Sequence, residues 1–252
     1  MFRPVAIIPA RFGSTRFPGK PLALLKGKPV IQHVYQAVSS AGLIDAVFVA
    51  TDDRRIFDVV TGFGGRAVMT STEHTCGTER IAEVAQDIEC DIIVNVQGDE
   101  PFIKPEMVDD VIKVLSDDRR AEISTLAKKT DDIKEILSPD IVKVVFDNEG
   151  FAMYFSRAPI PFYRDEWMIQ KIEDEKIGGC YKHIGIYGYK KDVLLRFASM
   201  PQGRLELIEQ LEQLRALAGG IKIKVKETPY DTFGIDTPQD LERAEEWLDL
   251  SL

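Results

Sequence analysis

The feature that most constrains the fold is the alternation of short apolar runs with segments of helical spacing in the first half of the chain. The clearest run is DIIVNV at residues 91–96, which is almost uniformly apolar and β-branched. Strands are predicted at residues 5–8, 46–50, 67–69 and 91–96, and helices at residues 29–41, 53–63 and 78–86. Continuous apolar runs that alternate with helices indicate a mainly parallel sheet covered on both faces. The predicted fold class is therefore α/β, with a Rossmann-like first half.

The second half is organised differently, because its first strand-like runs have no helical segment between them. Strands are predicted at residues 141–147, 151–155, 181–189 and 221–225. The sequence DNEG at residues 147–150 is typical of a hairpin turn. One apolar stripe predicts a single amphipathic helix; its residues are Leu205, Ile208, Leu211, Leu214 and Leu217. A final helix is predicted from Thr237, and the polar residues 161–179 are interpreted as an excursion or a long loop.

The composition indicates a globular protein without a general affinity for polyanions. The chain has 252 residues, 44% of them hydrophobic, and a formal net charge of −9, so no binding to nucleic acid or to a membrane surface is expected. No apolar run approaches the roughly 18 residues of a transmembrane helix, and no signal-peptide core is visible. Cys76, Cys90 and Cys180 are scattered, which disfavours disulfides and cysteine zinc sites. A single compact domain and a cytoplasmic location are expected.

The loop after the first predicted strand is strongly basic for an acidic chain. It reads PARFGSTRFPGKPL, and its three cations are Arg11, Arg16 and Lys20. Gly13 and Gly19 allow a close approach of the backbone to an anion, at the carboxyl end of a strand where α/β proteins bind ligands. The loop is not a Walker A motif, because Pro21 stands where a metal-binding hydroxyl is required. The residues favour a phosphate site, with a solvated turn as the alternative.

Two aspartates are candidates for a metal site. Asp99 follows the DIIVNV run in QGDEP, and Asp236 directly precedes the final predicted helix. Magnesium prefers oxygen ligands and usually takes one or two carboxylates together with phosphates and water. From their spacing alone, a turn role for Asp99 and a pre-cap role for Asp236 are as well supported as a metal role.

The strand at residues 181–189 places one histidine beside aromatic residues. Because strand side chains alternate between faces, His183, Gly185 and Tyr187 share one side. The glycine leaves room for a ligand to lie across its two neighbours. A histidine in this setting is also commonly a structural residue.

Eight blocks of the sequence together resemble one known family. They are PARFGSTRFPGKPL, VATDD, CGTERIAEV, VNVQGDEPF, MYFSRAPIP, KHIGIYGY, LEQLRAL and GIDTPQDLE, in this order and over nearly the whole chain. The set resembles that of the sugar-activating nucleotidyltransferases and, more narrowly, that of the 3-deoxy-manno-octulosonate (Kdo) cytidylyltransferases. One block would be weak support, whereas eight in order are specific.

The resemblance implies a fold and a reaction. The expected fold is a Rossmann-like mixed, mainly parallel sheet of the GT-A-like sugar nucleotidyltransferase type, with helices on both faces. One domain over residues 1–252 is expected. Its first half, about residues 1–130, is expected to bind the nucleotide. Its second half, about residues 131–252, is expected to bind the sugar and to form the interface of a homodimer. The expected reaction joins CTP and Kdo to give CMP-Kdo and diphosphate for lipopolysaccharide biosynthesis, with Mg²⁺ as cofactor.

The resemblance also implies roles for individual residues. The expected catalytic residues are Arg11, Lys20, Asp99 and Asp236, and the two aspartates are the expected magnesium ligands. Nucleotide binding is implied for Pro9, Ala10, Arg11, Gly13, Ser14, Lys20, Gly77, Thr78 and Arg80. Sugar binding is implied for Arg16, Gln97, His183, Tyr187, Glu212 and Gln213, and Arg157 is a further candidate that could bind the sugar carboxylate or support the dimer. From the residues alone, Glu212 and Gln213 also fit the solvated face of a helix.

Three alternatives stay open at this point. The same chemistry could act on the 8-amino analogue of Kdo or on another acidic sugar such as a nine-carbon sialic acid. A nucleotidyltransferase could instead use UTP or GTP with a sugar phosphate. A non-catalytic sensor of nucleotide sugars is disfavoured, because Lys20, Asp99 and Asp236 are all present.

The chain departs from the family at Phe12-Gly13 and at Cys76, where Tyr-Ala and serine are common.

Overall fold

The computed structural model describes residues 2–13, 16–164 and 179–250. The strands are β1 (Pro4–Ala10), β2 (Leu24–Leu25), β3 (Lys28–Pro29), β4 (Ala46–Thr51), β5 (Ala67–Met69), β6 (Ile92–Asn95), β7 (Ile123–Thr130), β8 (Lys143–Phe146), β9 (Ala152–Ser156), β10 (Cys180–Lys190) and β11 (Ile223–Glu227). The helices are α1 (Val30–Ser39), α2 (Arg54–Gly62), α3 (Gly77–Gln86), α4 (Pro105–Asp117), α5 (Ile133–Leu137), α6 (Lys191–Ala198), α7 (Arg204–Glu209), α8 (Gln213–Ala218) and α9 (Pro238–Leu250), with a 3₁₀ turn at Lys20–Leu22. Each helix in these described ranges is too short or too polar to span a bilayer.

Nine of the strands form one sheet, whose main path is β11-β7-β10-β6-β1-β4-β5. The pairings β1–β4, β1–β6, β4–β5 and β11–β7 are parallel. β10 runs antiparallel to both β6 and β7, and the β8–β9 hairpin attaches to β10. The predicted mixed, mainly parallel sheet is confirmed. Strands from both halves of the chain share it.

The central strand β1 is buried along its whole length, which explains its continuous apolar sequence. Ala6 and Ile8 pack in the core layer on one face, together with α1 and α4. Val5 and Ile7 pack in the opposite layer, with α3 and α6. Because strand side chains alternate between faces, a strand covered on both sides needs apolar residues at every position.

The predicted single helix along the leucine stripe is wrong. The segment forms two short helices, α7 and α8, and Gln210 between them has a left-handed φ of 54°. The carbonyl oxygen of Glu209 accepts a hydrogen bond from the Arg157 guanidinium at 2.8 Å, and its carboxylate accepts from Ser156 at 2.7 Å. The end of α7 is thus tied to β9. The stripe is also not a buried face throughout, since Ile208 is 66% exposed.

Two elements outside the predicted set complete the sheet and its cover. α4 begins at Pro105, the first-turn position that proline favours. β7 lies between β10 and β11 and joins the last strand to the sheet.

The predicted hairpin at residues 147–150 is confirmed, with the Gly150 N–H donating to the Asp147 carbonyl at 2.9 Å. The last strand begins two residues later than predicted.

Candidate active site

A cavity of about 370 Å³ opens at the carboxyl ends of β1 and β6. Its wall consists of Pro9, Ala10, Arg11, Arg16, Lys20, Pro21, His74, Thr75, Cys76, Gly77, Arg80, Gln97, Gly98, Asp99, Glu212 and Asp236. The basic loop after β1 and the QGDEP segment after β6 meet here because the two strands are parallel neighbours. The location agrees with the rule that ligands of α/β sheets bind outside the carboxyl ends of the strands.

Lys20 brings the two predicted carboxylates together. Its ammonium hydrogen-bonds to Asp99 and lies 2.8 Å from Oδ1 of Asp236. Arg16 approaches the other oxygen of Asp236, also at 2.8 Å. Asp99 and Asp236 are 137 positions apart in the sequence, so this cluster depends on the tertiary fold. Two carboxylates and two cations therefore face the same part of the cavity.

The charges of this cluster shift the pKa values of its members. Burial opposes the charged form of Lys20, but Asp99 and Asp236 outweigh it and raise the lysine pKa. Burial also opposes ionisation of Asp236, and the hydrogen bond and charge of Lys20, aided by Arg16, lower its pKa. Lys20 and Asp236 are accordingly charged at neutral pH.

The loops that carry the two aspartates are fastened to each other. The Ile235 N–H donates to the Asp99 carbonyl at 2.8 Å. Phe102, three residues after Asp99, packs against Phe233 with ring centroids 4.7 Å apart. Trp247 of α9 stacks on both rings, at 4.8 and 4.7 Å. The last helix thus holds the two carboxylate-bearing loops in one arrangement.

The start of α9 is capped by a reciprocal set of hydrogen bonds between Thr237 and Asp240. Asp240 accepts hydrogen bonds from the Thr237 N–H at 2.9 Å and from the Asp236 N–H at 3.1 Å. The Asp240 N–H in turn donates to the Thr237 hydroxyl at 3.2 Å. The cap fixes the backbone beside Asp236.

The other end of the cavity is formed by the CGTER segment at the start of α3. A Cβ on Gly77 would lie 3.2 Å from Pro9 Cγ, so glycine allows the close packing of this segment on β1. Arg80 is buried and donates to Asp52 at 2.7 Å and to the Thr70 hydroxyl at 2.5 Å. The Arg80 guanidinium therefore connects α3 to Asp52 and Thr70 behind the cavity wall.

Cys76, where the chain departs from the family pattern, lies in surroundings that disfavour its thiolate. Burial and then the charge of Glu212 raise the pKa of Cys76 to about 12. Reactive cysteines are thiolates in positively charged surroundings. The setting favours a structural cysteine over a redox-sensitive one.

A second cavity of about 470 Å³ adjoins the first, and the two share Gly77, Gln97 and Glu212. Six of the seven predicted sugar-binding residues line it: Gln97, Arg157, His183, Tyr187, Glu212 and Gln213. The seventh, Arg16, lies at the first cavity beside Asp236. Residues of β6, β10 and α8, together with Arg157 just after β9, thus converge on one space.

The aromatic side of the second cavity consists of rings in mutual contact. The His183 ring meets Phe155 edge-on at 5.1 Å and Tyr187 at 5.3 Å. Burial lowers the pKa of His183 to about 3 and raises that of Tyr187 well above its usual range, so both are neutral at physiological pH. The interpretation of Gln213 as part of a solvated face is wrong, because it is only 8% exposed.

Other predicted residues have distinct surroundings. The Thr78 hydroxyl donates to Glu212 at 2.5 Å, which joins the CGTER segment to α8. Arg157 donates to the carbonyl oxygens of Glu209 and Pro139 at 2.8 and 2.9 Å, so it also fastens two loops. Gly13 is exposed and does not line the first cavity. Ser14 lies outside the described residues.

Several further residues, without a predicted role, support the site. Asp52 lies in the VATDD block and pairs with buried Arg80. Glu100 has a pKa raised to about 7, first by burial and then by the charge of Asp99. Thr125 hydrogen-bonds to His183 at 2.9 Å. The position of Glu100 in QGDEP was a usable signal, whereas nothing in the local sequence of β7 indicates Thr125.

Comparison with known proteins agrees with this geometry. The family described as Cytidylyltransferase matches residues 5–223. The chain belongs to the cytidylyltransferase family. A 3-deoxy-manno-octulosonate cytidylyltransferase of Trichlorobacter lovleyi is 53% identical over 96% of this chain and 97% of its own. One of Geobacter sulfurreducens is 54% identical over 96% and 98%. This cytidylyltransferase is therefore similar over nearly its full length to enzymes of one substrate class.

Solved structures give the same placement. CMP:2-keto-3-deoxy-manno-octonic acid synthetase complexed with CTP superposes with a TM-score of 0.91 at 40% identity, over 99% of this chain and 100% of that one. A 4-diphosphocytidyl-2C-methyl-D-erythritol synthase from Anaerococcus prevotii superposes at 0.64 with 18% identity, over 98% and 96%. The second likeness concerns the fold alone. The predicted nucleotidyltransferase fold is confirmed.

Proposed function

We propose that this cytidylyltransferase transfers CMP from CTP to Kdo, giving CMP-Kdo and diphosphate for lipopolysaccharide biosynthesis. The observation that carries the proposal is the pair of adjoining cavities. One contains Lys20 between two carboxylates, and the other is lined by the neutral His183 and Tyr187, by amide side chains, and by the charged Arg157 and Glu212. The full-length relatives with this named activity support the choice of substrates.

The first cavity fits the triphosphate end of CTP. Arg11, Arg16 and Lys20 supply positive charge along one wall, and oriented cations stabilise the charge that develops on a transferring phosphoryl group. In this proposal Arg11 and Lys20 hold the triphosphate and the leaving diphosphate. The segment at Gly77 and Thr78 faces the nucleobase.

Magnesium fits the donor set at Asp99 and Asp236. The carboxylates of Asp99 and Asp236 both lie beside the Lys20 ammonium. Their oxygens are hard ligands of the kind that magnesium prefers. Among the described residues no group of three or more His, Cys, Asp or Glu side chains could hold a metal alone, so phosphate and water would complete the coordination. The bound ion would polarise the α-phosphate and make the attacking sugar hydroxyl more acidic.

The second cavity fits the sugar. The cavities share Gln97 and Glu212, so a sugar in the second would have its reacting hydroxyl next to the α-phosphate in the first. Holding the sugar hydroxyl and the α-phosphate next to each other would supply a large part of the rate enhancement. The proposed reaction needs no enzyme nucleophile: the sugar oxygen bonds to the α-phosphorus, the bond to diphosphate breaks, and the hydroxyl proton is released.

A substrate screen tests the proposal. CTP, UTP, GTP and ATP are each combined with Kdo, its 8-amino analogue, sialic acid and a sugar 1-phosphate in the presence of Mg²⁺, and diphosphate release is measured. We expect turnover with CTP and Kdo. Preference for the 8-amino analogue would keep the chemistry and change the substrate, and turnover only with UTP or GTP and a sugar phosphate would refute the proposal.

We also propose a cytoplasmic homodimer. Three large apolar side chains, Met153, Leu207 and Ile208, are 67%, 60% and 66% exposed on β9 and α7. Apolar side chains that are exposed together in one patch are typical of surfaces that another chain covers, and the homodimer proposal takes these three as part of such a surface. Analytical ultracentrifugation tests the assembly: we expect twice the mass of one chain, and a monomer at micromolar concentration would contradict it.

A further inference from the structure

The antiparallel pairing of β10 with β7 is interrupted beside the second cavity. The register shifts between Ile184 and Tyr187, so Gly185 and Ile186 form a bulge. Thr125 of β7 lies opposite this bulge and is completely buried. Bulges redirect side chains and are common near functional sites. The contacts of Thr125 therefore bear on the geometry of the cavity wall.

The Thr125 hydroxyl has three polar neighbours. Its Oγ1 lies 2.7 Å from the Ile186 carbonyl oxygen, 3.2 Å from that of Ile184 and 2.9 Å from Nε2 of His183. A hydroxyl has one hydrogen, and a carbonyl oxygen can only accept. The hydrogen of Thr125 is therefore directed to the bulge, where Ile186 gives the shortest contact. It follows that Nε2 of His183 is the donor in the remaining contact.

A donor at Nε2 determines the tautomer of His183. The ring is neutral, because burial lowers the pKa of His183 to about 3, and a neutral imidazole carries only one N–H. Nδ1 is therefore an acceptor. Among the residues that the structure describes, none hydrogen-bonds to Nδ1, and the ring lines the second cavity. His183 thus offers Nδ1 as a hydrogen-bond acceptor to a ligand in this cavity.

We propose that Thr125 is a positioning residue that fixes the Nε2-protonated tautomer of His183, so that Nδ1 accepts a hydrogen bond from a hydroxyl of the bound sugar. This rests on the proposed function of the second cavity. The lone pair on Nδ1 repels a carboxylate, so the acid group of the sugar is directed away from His183. Arg157, which lines the same cavity, supplies positive charge for it.

Nitrogen NMR on the ligand-free protein tests the tautomer directly. The chain has three histidines, His33, His74 and His183, so ¹⁵N-histidine labelling gives few ring signals, and His183→Asn identifies one set. We expect a protonated Nε2 and an unprotonated Nδ1 at neutral pH. Thr125→Ser keeps this spectrum, whereas Thr125→Val changes it. A protonated Nδ1 or an imidazolium in the wild-type protein would overturn the proposal.

Kinetics test the consequence for the sugar. We expect Thr125→Val to raise the KM for Kdo roughly tenfold, the size of one hydrogen bond, with the KM for CTP unchanged. Thr125→Ser keeps the wild-type value. Equal KM values for Kdo in the two variants would overturn the proposal, and if Thr125→Val does not fold, the wild-type spectrum alone decides. Absence of turnover with Kdo in the wild-type protein would refute the proposed function, while the ligand-free spectrum still decides the tautomer.

Discussion

The ion pair between Asp52 and Arg80 gives a quantitative prediction for Asp52→Asn. The Arg80 side chain is 4% exposed and the Asp52 side chain 19%, with 2.7 Å between the charged atoms. Removal of one partner from a buried pair costs about 3–5 kcal/mol. Asparagine keeps one acceptor, and Arg80 keeps its contacts with Thr70 and Ser71. We therefore expect the free energy of unfolding to fall by about 2 kcal/mol.

The neighbouring Asp53 provides a matched control. Its carboxylate caps α2 by accepting the Arg55 N–H at 2.9 Å and pairs with the exposed Arg55 guanidinium. Asparagine caps helices as well as aspartate does, and exposed pairs are weak, so Asp53→Asn should cost less than about 1 kcal/mol.

Urea denaturation of the two variants measures the difference. We expect Asp52→Asn to shift the midpoint clearly further than Asp53→Asn and to raise the KM for CTP several-fold, because Arg80 lines the first cavity. Equal urea midpoints for the two variants would refute the reasoning. They would show that the burial of the Asp52–Arg80 pair does not increase the loss in the free energy of unfolding.

Three further predictions concern other groups. Lys143→Met should lower the free energy of unfolding by about 3 kcal/mol, because it removes the donor from three carbonyls 2.5–2.7 Å away, and an unchanged urea midpoint contradicts this. In the folded state the pKa of His183 is about 3, whereas in the unfolded state it is about 6.5. Because the unfolded state binds more protons between these values, the free energy of unfolding falls as the pH is lowered from about 6.5 toward about 3. His183→Asn should make this fall smaller, as measured by urea denaturation at a series of pH values. Trp247→Leu should weaken Mn²⁺ binding measured by EPR and reduce kcat, since its ring stacks hold the loops of Asp99 and Asp236; unchanged values refute the positioning role.

The parallel part of the sheet was predictable, because burial on both faces leaves a direct signal in β1 and β6. The position of β10 between β6 and β7 was not, since strand pairing over long sequence separations has no local signal. The leucine stripe was misleading for a related reason. Periodicity reports which residues share a face, and it does not register a left-handed residue such as Gln210 that ends the helix.

The candidate site was predictable where a motif carries its own chemistry. The basic loop with Lys20 and the acidic QGDEP segment were found from residue types, whereas their meeting with Asp236 depends on the fold. Asp52 and Thr125 act through other side chains, so their sequence context resembles that of ordinary strand residues. Tertiary contacts alone assign them to the site.

The central claim is that Asp99 and Asp236 form the catalytic centre for transfer of CMP to Kdo. Its most direct test is diphosphate release from CTP and Kdo by Asp99→Asn, with the exposed Asp45→Asn as control and circular dichroism to verify folding. Loss of a carboxylate that holds the metal should reduce turnover at least about 100-fold, while the control keeps wild-type activity. A folded Asp99→Asn variant with near-normal turnover would contradict the account.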